Sequence, residues 1–206
     1  MTEPRGPTAY VVDDDEAIRT LWGWLMESNG IAVRTFASAA AFIEAYRRGA
    51  PGCLVLDVRL PGMSGPELQD YLRREAIELP IVFVSAHGDV PTAVTAIKGG
   101  AMDFLQKPFD YRQALATVQR AMERDAQGRE QRARQAQFAG RLAALTSRER
   151  EVMHRIIEGK PNKVIAEELD ISVRTVEFHR ANVMEKMGAR SVAHLVKMHL
   201  TLGGEA

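Results

Sequence analysis

The sequence predicts an α/β fold, a flavodoxin-like doubly wound sheet of five parallel strands in the order 2-1-3-4-5, followed by a separate all-α domain of four helices with a helix-turn-helix. Three observations carry this reading. Short apolar runs alternate with amphipathic stretches of roughly 10–15 residues as far as Met122, which is the pattern of a parallel sheet with crossover helices. The runs Ala9-Tyr10-Val11-Val12 and Cys53-Leu54-Val55-Leu56 are apolar throughout, as strands covered on both faces are. From residue 144 onward the strand-like runs give way to short blocks of helical periodicity.

The elements follow in order. The first strand ends in Asp13-Asp14-Asp15, and Asp15 is placed to cap a helix whose Ile18, Leu21, Trp22, Leu25 and Met26 follow the i, i+3, i+4, i+7, i+8 rule. Trp22 is therefore assigned to the core. Asn29-Gly30 ends that helix, a short strand spans 31–36, and a helix capped near Ser38 runs through Phe42 and Tyr46 toward Gly49. Pro51-Gly52 introduces the third strand, which closes on Asp57 ahead of the Pro61-Gly62 turn. Ile81-Val82-Phe83-Val84 is the fourth strand and ends in Ser85. A helix over 90–98 carries Val90, Val94 and Ile97 at helical spacing, which suits either core packing or an exposed apolar face. The fifth strand, Asp103-Phe104-Leu105-Gln106, leads into Lys107-Pro108.

From Glu123 to Gln137 the apolar stripe dissolves into Arg, Gln, Glu and Ala, which favour helix but offer little to bury. This predicts a helical linker over 123–143 that extends the last helix of the first domain. Gly128 disfavours helix by about 1 kcal/mol relative to Ala and marks where such an extension would break. The domains are accordingly 1–122, linker 123–143, and 144–206. In the last, Thr146 and Glu149 have capping-box spacing ahead of Val152, Ile156 and Ile157. Gly159 stops that helix. A second covers about 162–169, Asp170-Ile171-Ser172 makes a turn, a third covers 173–187 with Val176, Val183 and Met187 inward, and a fourth opens at Ser191.

Strands one and three are neighbours at the switch point of such a sheet, where ligands bind beyond the carboxyl ends. Asp13, Asp14 and Asp57 crowd together there, and a hard divalent cation, Mg²⁺, is the natural neutraliser. The plainer reading makes the acidic residues helix caps, which fits Asp15 best. Ser85 and Lys107 end the next two strands. A phosphoryl group on Asp57 has three outer oxygens, and cation, hydroxyl and ammonium supply one partner to each. Taken singly, Ser85 reads as an ordinary strand-end hydroxyl and Lys107 as a solvated charge; their recurrence at successive strand ends is the stronger signal.

These residues resemble the receiver domain of bacterial two-component response regulators. The matching pieces are Val12-Asp13-Asp14-Asp15, Asp57-Val58-Arg59-Leu60-Pro61-Gly62-Met63-Ser64-Gly65, Ser85-Ala86-His87-Gly88-Asp89-Val90-Pro91 and Asp103-Phe104-Leu105-Gln106-Lys107-Pro108-Phe109, over residues 8–122. The resemblance implies Asp57 as phosphoacceptor, Asp13 and Asp14 as metal carboxylates joined by the backbone carbonyl of Arg59, Ser85 and Lys107 as phosphate sensors, Phe104 as the aromatic switch, and a cis Lys107-Pro108 bond.

In the second domain, two short helices joined by a tight turn outline a helix-turn-helix, with Arg174, Thr175, Glu177, Arg180 and Asn182 exposed on the groove-entering helix. Periodicity alone leaves a protein-binding helical domain equally open. Leu145-Thr146-Ser147-Arg148-Glu149-Arg150-Glu151-Val152, Gly159-Lys160-Pro161-Asn162-Lys163-Val164-Ile165-Ala166, the run from Ile171 through Met184, and Lys186-Met187 resemble the LuxR class, and the whole chain is similar to the FixJ type of the NarL/FixJ family. Glu177, Phe178 and Ala181 stand where some members of the class carry lysines. An acid there can accept a hydrogen bond from cytosine N4. Phosphate contacts then fall to Lys163, Arg174, His179, Arg180 and Lys186.

Composition narrows the alternatives. The 206 residues are 46% hydrophobic, enough for a real core, and the net charge of zero lacks the global signature of a nucleic-acid binder. No apolar run approaches the roughly 18 residues of a membrane span and no secretion signal opens the chain, so a cytoplasmic protein without membrane contact is expected. Cys53 is the single cysteine and reads as core; the five histidines lack metal-ligand spacing, and no G-x-G-x-x-G is present. The expected function is a transcriptional regulator activated by phosphorylation, not an enzyme. The resemblance implies a sensor histidine kinase, promoter DNA and RNA polymerase as partners, and a homodimer formed on phosphorylation through the fourth helix and fifth strand. A phosphohydrolase of the haloacid dehalogenase type is the enzymatic rival, but its general acid would stand at Arg59, which cannot deliver a proton. An output domain that binds protein or RNA is the third reading.

Overall fold

The computed structural model describes residues 6–86 and 90–202. His87, Gly88, Asp89 and the side chains of Val90 and Pro91, part of the receiver-like pattern, lie outside the described residues. Strands β1 (Thr8–Val12), β2 (Ala32–Phe36), β3 (Gly52–Asp57), β4 (Ile81–Ser85) and β5 (Asp103–Gln106) form one parallel sheet in the order β2-β1-β3-β4-β5. Helices α1 (Glu16–Glu27), α2 (Ala39–Ala45), α3 (Gly65–Arg74), α4 (Val90–Lys98) and the first part of α5 (Tyr111–Ala143) cover it.

Both faces of the central strands are buried, which is why their sequences are apolar without alternation. Ala9, Val11 and Val55 pack with Trp22 and Met26 of α1 and Val118 of α5, while Tyr10, Leu54 and Leu56 pack with Phe42 of α2 and Leu68 of α3. The Val, Leu, Met and Phe side chains among these each stabilise the fold by about 1.5–3 kcal/mol when fully buried. Cys53 lies in the first of these layers, and burial, with the charge of Asp125 second, pushes its thiol up to about 12, so it is packing and not a nucleophile.

Local signals behave as expected at most helix starts. Asp15 caps α1 by accepting from the Ala17 N–H at 2.8 Å, and Ser64 and Glu67 form a reciprocal capping box on α3. Helix α2 is shorter than the sequence suggests. It ends at Ala45 because Tyr46 is extended at φ −78°, ψ 123°, its ring stacked on Phe42 and its hydroxyl donating to the Ala50 carbonyl at 3.2 Å. On α4, Ala96 faces the core whereas Val94 and Ile97 are 44% and 46% exposed, which decides their reading in favour of an exposed apolar face.

Helix α5 runs unbroken through Gly128. Both ends of the assigned linker make contacts with the domains they adjoin. Asp125 is buried and accepts from the backbone N–H of Gly52 at 2.9 Å, so the receiver-like domain holds the helix beyond residue 122. Gly52 itself is required: at φ +143° a Cβ there would stand 1.9 Å from the Thr8 carbonyl oxygen. At the other end, Phe138 is buried in the core of the second domain with Leu142 against it, so that domain's packing starts upstream of 144. Arg141 donates to the Met187 carbonyl at 2.7 Å.

The second domain contains α6 (Ser147–Ile157), α7 (Asn162–Leu169), α8 (Val173–Met187) and α9 (Val192–Leu202) around Val152, Ile156, Ile165, Val176, Val183 and Leu195. The capping box predicted at Thr146 and Glu149 is present. Buried Glu149 also receives Lys186 from α8 at 2.6 and 2.9 Å. This lysine, then the Thr146 N–H, holds its carboxyl down at about 2. A depressed acid pKa stabilises the fold above the ordinary carboxylate range and loses that contribution as pH falls toward about 2.

Replacing Asp125 with Ala strands the buried Gly52 N–H. The expected loss is about 1.5–3 kcal/mol of stability, read as a lower urea midpoint of the full chain by circular dichroism. An unchanged midpoint would show that the bond to Gly52 contributes nothing.

Candidate functional site

The carboxyl ends of β1, β3, β4 and β5 converge on an acidic cleft. Carboxylate oxygens of Asp13, Asp14 and Asp57 lie within 4.8 Å of one another. Asp13 and Asp57 are buried and Asp14 is exposed. Each arrives for a separate reason. Asp13 and Asp14 follow β1, and Arg19, one turn into α1, donates to both of their carbonyls at 2.9 and 2.8 Å. Asp57 is the last residue of β3 and is paired in register with Val84, so the next residue on β4, Ser85, is buried beside it. The Lys107 N–H donates to the Ser85 carbonyl at 2.7 Å, which brings the lysine in from β5, and the Lys107-Pro108 bond is cis.

Lys107 Nζ lies 2.6 Å from Asp13 Oδ2 and 3.6 Å from Asp57 Oδ2. The other Asp13 oxygen accepts the Asp15 N–H at 3.0 Å. Burial pushes the Asp57 carboxyl above its ordinary value and Asp13 adds to the rise, while Lys107 and the N–H groups of Arg59 and Val58 act against it. The cluster thus holds more negative charge than its one lysine balances. An all-oxygen carboxylate set of this kind suits a hard divalent cation such as Mg²⁺. Gly65 keeps the cleft's floor tight: a Cβ there would stand 2.3 Å from the Asp57 carbonyl oxygen. Phe104, half-buried on β5, lines a groove of about 510 Å³ with Val94, Pro108 and Phe109.

The second candidate surface is α8. Asp170, left-handed at φ 52°, ends α7, and Ser172 caps α8 by accepting from the Thr175 N–H at 3.1 Å. Arg174, Glu177, Phe178 and Ala181 are exposed on one face, Phe178 at 63%, with Lys163 exposed on α7. His179, Arg180 and Asn182 are half-buried. Two residues assigned to DNA from the sequence have other engagements. The Thr175 hydroxyl lies 2.8 Å from that of Ser172. Lys186 gives two hydrogen bonds to Glu149, so its charge serves the join between α6 and α8 before any phosphate. Sequence reading missed this, and also missed Arg19 and Asp125. Their contacts go to backbone or to distant elements, for which residue spacing carries no signal.

Comparison with known proteins adds the lineage. Residues 9–119 match the response regulator receiver domain, and residues 143–199 match the bacterial regulatory proteins of the luxR family. The chain belongs to the NarL/FixJ family of two-component response regulators. It is 46% identical over 204 residues to the transcriptional regulatory protein FixJ of Azorhizobium caulinodans, covering 97% of this chain and 95% of that one. It is also 46% identical to the C4-dicarboxylate transport transcriptional regulatory protein DctR of Rhodobacter capsulatus, covering 93% and 98%. Among solved structures, the response regulator StyR matches with a TM-score of 0.86 at 44% identity, covering 93% and 97%, and full-length FixJ from B. japonicum with 0.60 at 42%, covering 97% and 98%. Receiver and DNA-binding domains in one chain make this response regulator a phosphorylation-dependent regulator of transcription. Among the described residues no helix is long and apolar enough to cross a membrane.

The raised Asp57 pKa has a consequence for stability. The folded state holds the Asp57 proton more tightly than the unfolded chain, so stability falls as pH rises from the ordinary aspartate value through the folded one. In chelator at pH 7, Asp57→Asn should therefore unfold at a higher temperature than wild type, with the gap closing below about pH 4. A variant that melts lower at pH 7 would contradict the crowding described for this cleft.

Proposed function

We propose that Asp57 accepts a phosphoryl group from a sensor histidine kinase in the cytoplasm, and that the modified chain dimerises and binds promoter DNA next to RNA polymerase. The observation that carries this is the meeting of Asp57 with Asp13, Asp14, Ser85 and Lys107 at four strand ends. One Asp57 carboxylate oxygen attacks phosphorus in line, the bond to the kinase's histidine nitrogen breaks, and an acyl phosphate forms on Asp57. Asp13, Asp14 and Asp57, with the Arg59 carbonyl as a further ligand, would hold Mg²⁺, which when bound would supply positive charge against the phosphoryl oxygens. Lys107 and Ser85 bind the remaining oxygens. For Lys107 this means exchanging its ion pair with Asp13 for one with the phosphoryl group, a change at the start of the segment that follows β5.

That exchange is a local electrostatic event of the kind that biases a two-state element. Phe104 on β5 is the aromatic switch in this reading, and the exposed Val94 and Ile97 of α4 beside its groove supply the apolar surface of the dimer. The output uses residues 144–206: α8 enters the major groove, with Lys163, Arg174, His179 and Arg180 on phosphates, Asn182 at the groove wall, and Glu177, Phe178 and Ala181 toward the bases. The first domain, residues 1–122 with the anchored start of the linker, is the switch.

Labelling by a small acyl phosphate donor tests the site. Wild type should incorporate phosphate in a divalent cation and lose it in excess chelator, and Asp57→Asn should not be labelled in either. Undiminished labelling of the variant, or of wild type in chelator, would reject the assignment.

Sedimentation tests the consequence. Phosphorylated full-length protein should sediment as a dimer, and Lys98→Glu, a change at an exposed charge on α4, should weaken that dimer without reducing Asp57 labelling. A dimer indifferent to Lys98→Glu would place the contact elsewhere.

A further inference from the structure

The reading of α8 as the groove-entering helix leaves one feature without a role. The exposed face of α8 carries a phenyl ring and a methyl group beside an acid, where a DNA-binding surface is ordinarily basic. Glu177, Phe178 and Ala181 are all exposed, and Ala181 stands one turn beyond Phe178, so the ring and the methyl form a short strip on one face. Phe178 is 63% exposed, and its ring is braced edge-on against the His179 imidazole at 5.7 Å, so its direction is held by packing on one side only. Arg174, one turn before Phe178, continues the strip on the same face, and Lys163 is exposed on α7; half-buried Arg180 lies toward the opposite side of α8. An exposed ring and methyl beside the charges of Arg174 and Glu177 suit a partner that presents phosphates, apolar groups and hydrogen-bond donors side by side.

We propose that Phe178 and Ala181 read the 5-methyl group of a thymine, beside a cytosine whose N4 amino group donates to Glu177. The inference rests on α8 entering the major groove and adds which bases it selects there. In that groove only thymine offers an apolar group among the unmodified bases, and Phe and Ala are side chains that contact it. Glu177 accepts and cannot donate, which favours the amino group of cytosine and opposes the O6 and N7 acceptors of guanine. Arg174, one turn before Phe178 on the same face, is assigned to a phosphate, so the selectivity at Glu177, Phe178 and Ala181 comes from methyl burial and one acceptor.

The test uses the full chain, phosphorylated by an acyl phosphate donor, and duplex DNA selected by this protein from a randomised pool. Each thymine of the bound sequence is replaced in turn by deoxyuridine, which removes the methyl group and nothing else. At one position in each half-site wild type should bind the uracil duplex about fourfold more weakly, the equivalent of about 0.8 kcal/mol for one buried methyl. Phe178→Ala should bind thymine and uracil duplexes alike. The ring is exposed, so the variant should melt as wild type does, and a melting curve checks this. Sequence-specific binding that is insensitive to uracil at every position would overturn the proposal. So would a Phe178→Ala chain that keeps the uracil effect, or one that binds every duplex as tightly as wild type, which would assign the ring to a protein partner. Loss of all sequence-specific binding in wild type would reject the placement of α8 itself.

Discussion

The structure of the first domain is organised around an imbalance of charge: Asp13, Asp14 and Asp57 share one cleft with a single nearby lysine, Lys107, whose Nζ is 2.6 Å from Asp13 and 3.6 Å from Asp57. Like charges at this separation in a partly buried place repel strongly, and desolvation adds to the cost. The backbone is arranged to limit it. Arg19 ties down the Asp13 and Asp14 carbonyls, the Asp15 N–H satisfies one Asp13 oxygen, and the Arg59 and Val58 N–H groups favour the charged form of Asp57. A divalent cation would suit the stabilisation that remains missing. A site in which three carboxylates face one lysine is also one whose energy changes when a phosphoryl group arrives, and such differential interaction is the requirement for a switch.

The fold turns that local change into something with reach. The sheet is rigid because both its faces are packed, and Asp57, Ser85 and Lys107 are fixed to three adjacent strands of it. The same strands lead elsewhere. β5 carries Phe104 to the groove beside α4, and β3, which ends in Asp57, begins at Gly52, where Asp125 of α5 accepts its N–H. The helix that leaves the first domain is therefore held at the opposite end of the strand that carries the candidate phosphoacceptor. In the second domain the end of that helix is built into the core through Phe138, and Arg141 bonds to the last carbonyl of α8. Each domain thus grips its own part of α5.

The output domain shows a different economy. Its local charge is nearly balanced, with 10 basic and 9 acidic residues over 146–206, so long-range attraction to DNA is weak and contacts at the interface must do the selecting. One lysine, Lys186, is engaged by Glu149 in joining α6 to α8. The face left exposed on α8 carries Arg174, an acid, a phenyl ring and a methyl group. Such a surface discriminates by hydrogen-bond polarity and apolar contact more than by net charge.

Most of the fold and the acidic site was legible in the sequence because both depend on local chemistry. Short apolar runs bounded by turns and alternating with amphipathic stretches read as buried strands, caps such as Asp15, Ser64 and Thr146 act within three residues of themselves, and residues that end successive strands converge by the rule of the parallel sheet. What only tertiary structure decided are the contacts between elements far apart in the chain. Val94 and Ile97 have the spacing of core residues, yet the sheet leaves them exposed and buries Ala96 instead. Asp125 and Phe138 sit in a stretch whose composition reads as a solvated linker, and only the neighbouring elements turn one into a buried acceptor and the other into core. Lys186 and Arg19 look like surface charges until Glu149 and the Asp13-Asp14 backbone come within reach. Hydrophobic periodicity records which face of an element is apolar; it holds no record of what the fold brings against that face, and there the partners of these residues were fixed.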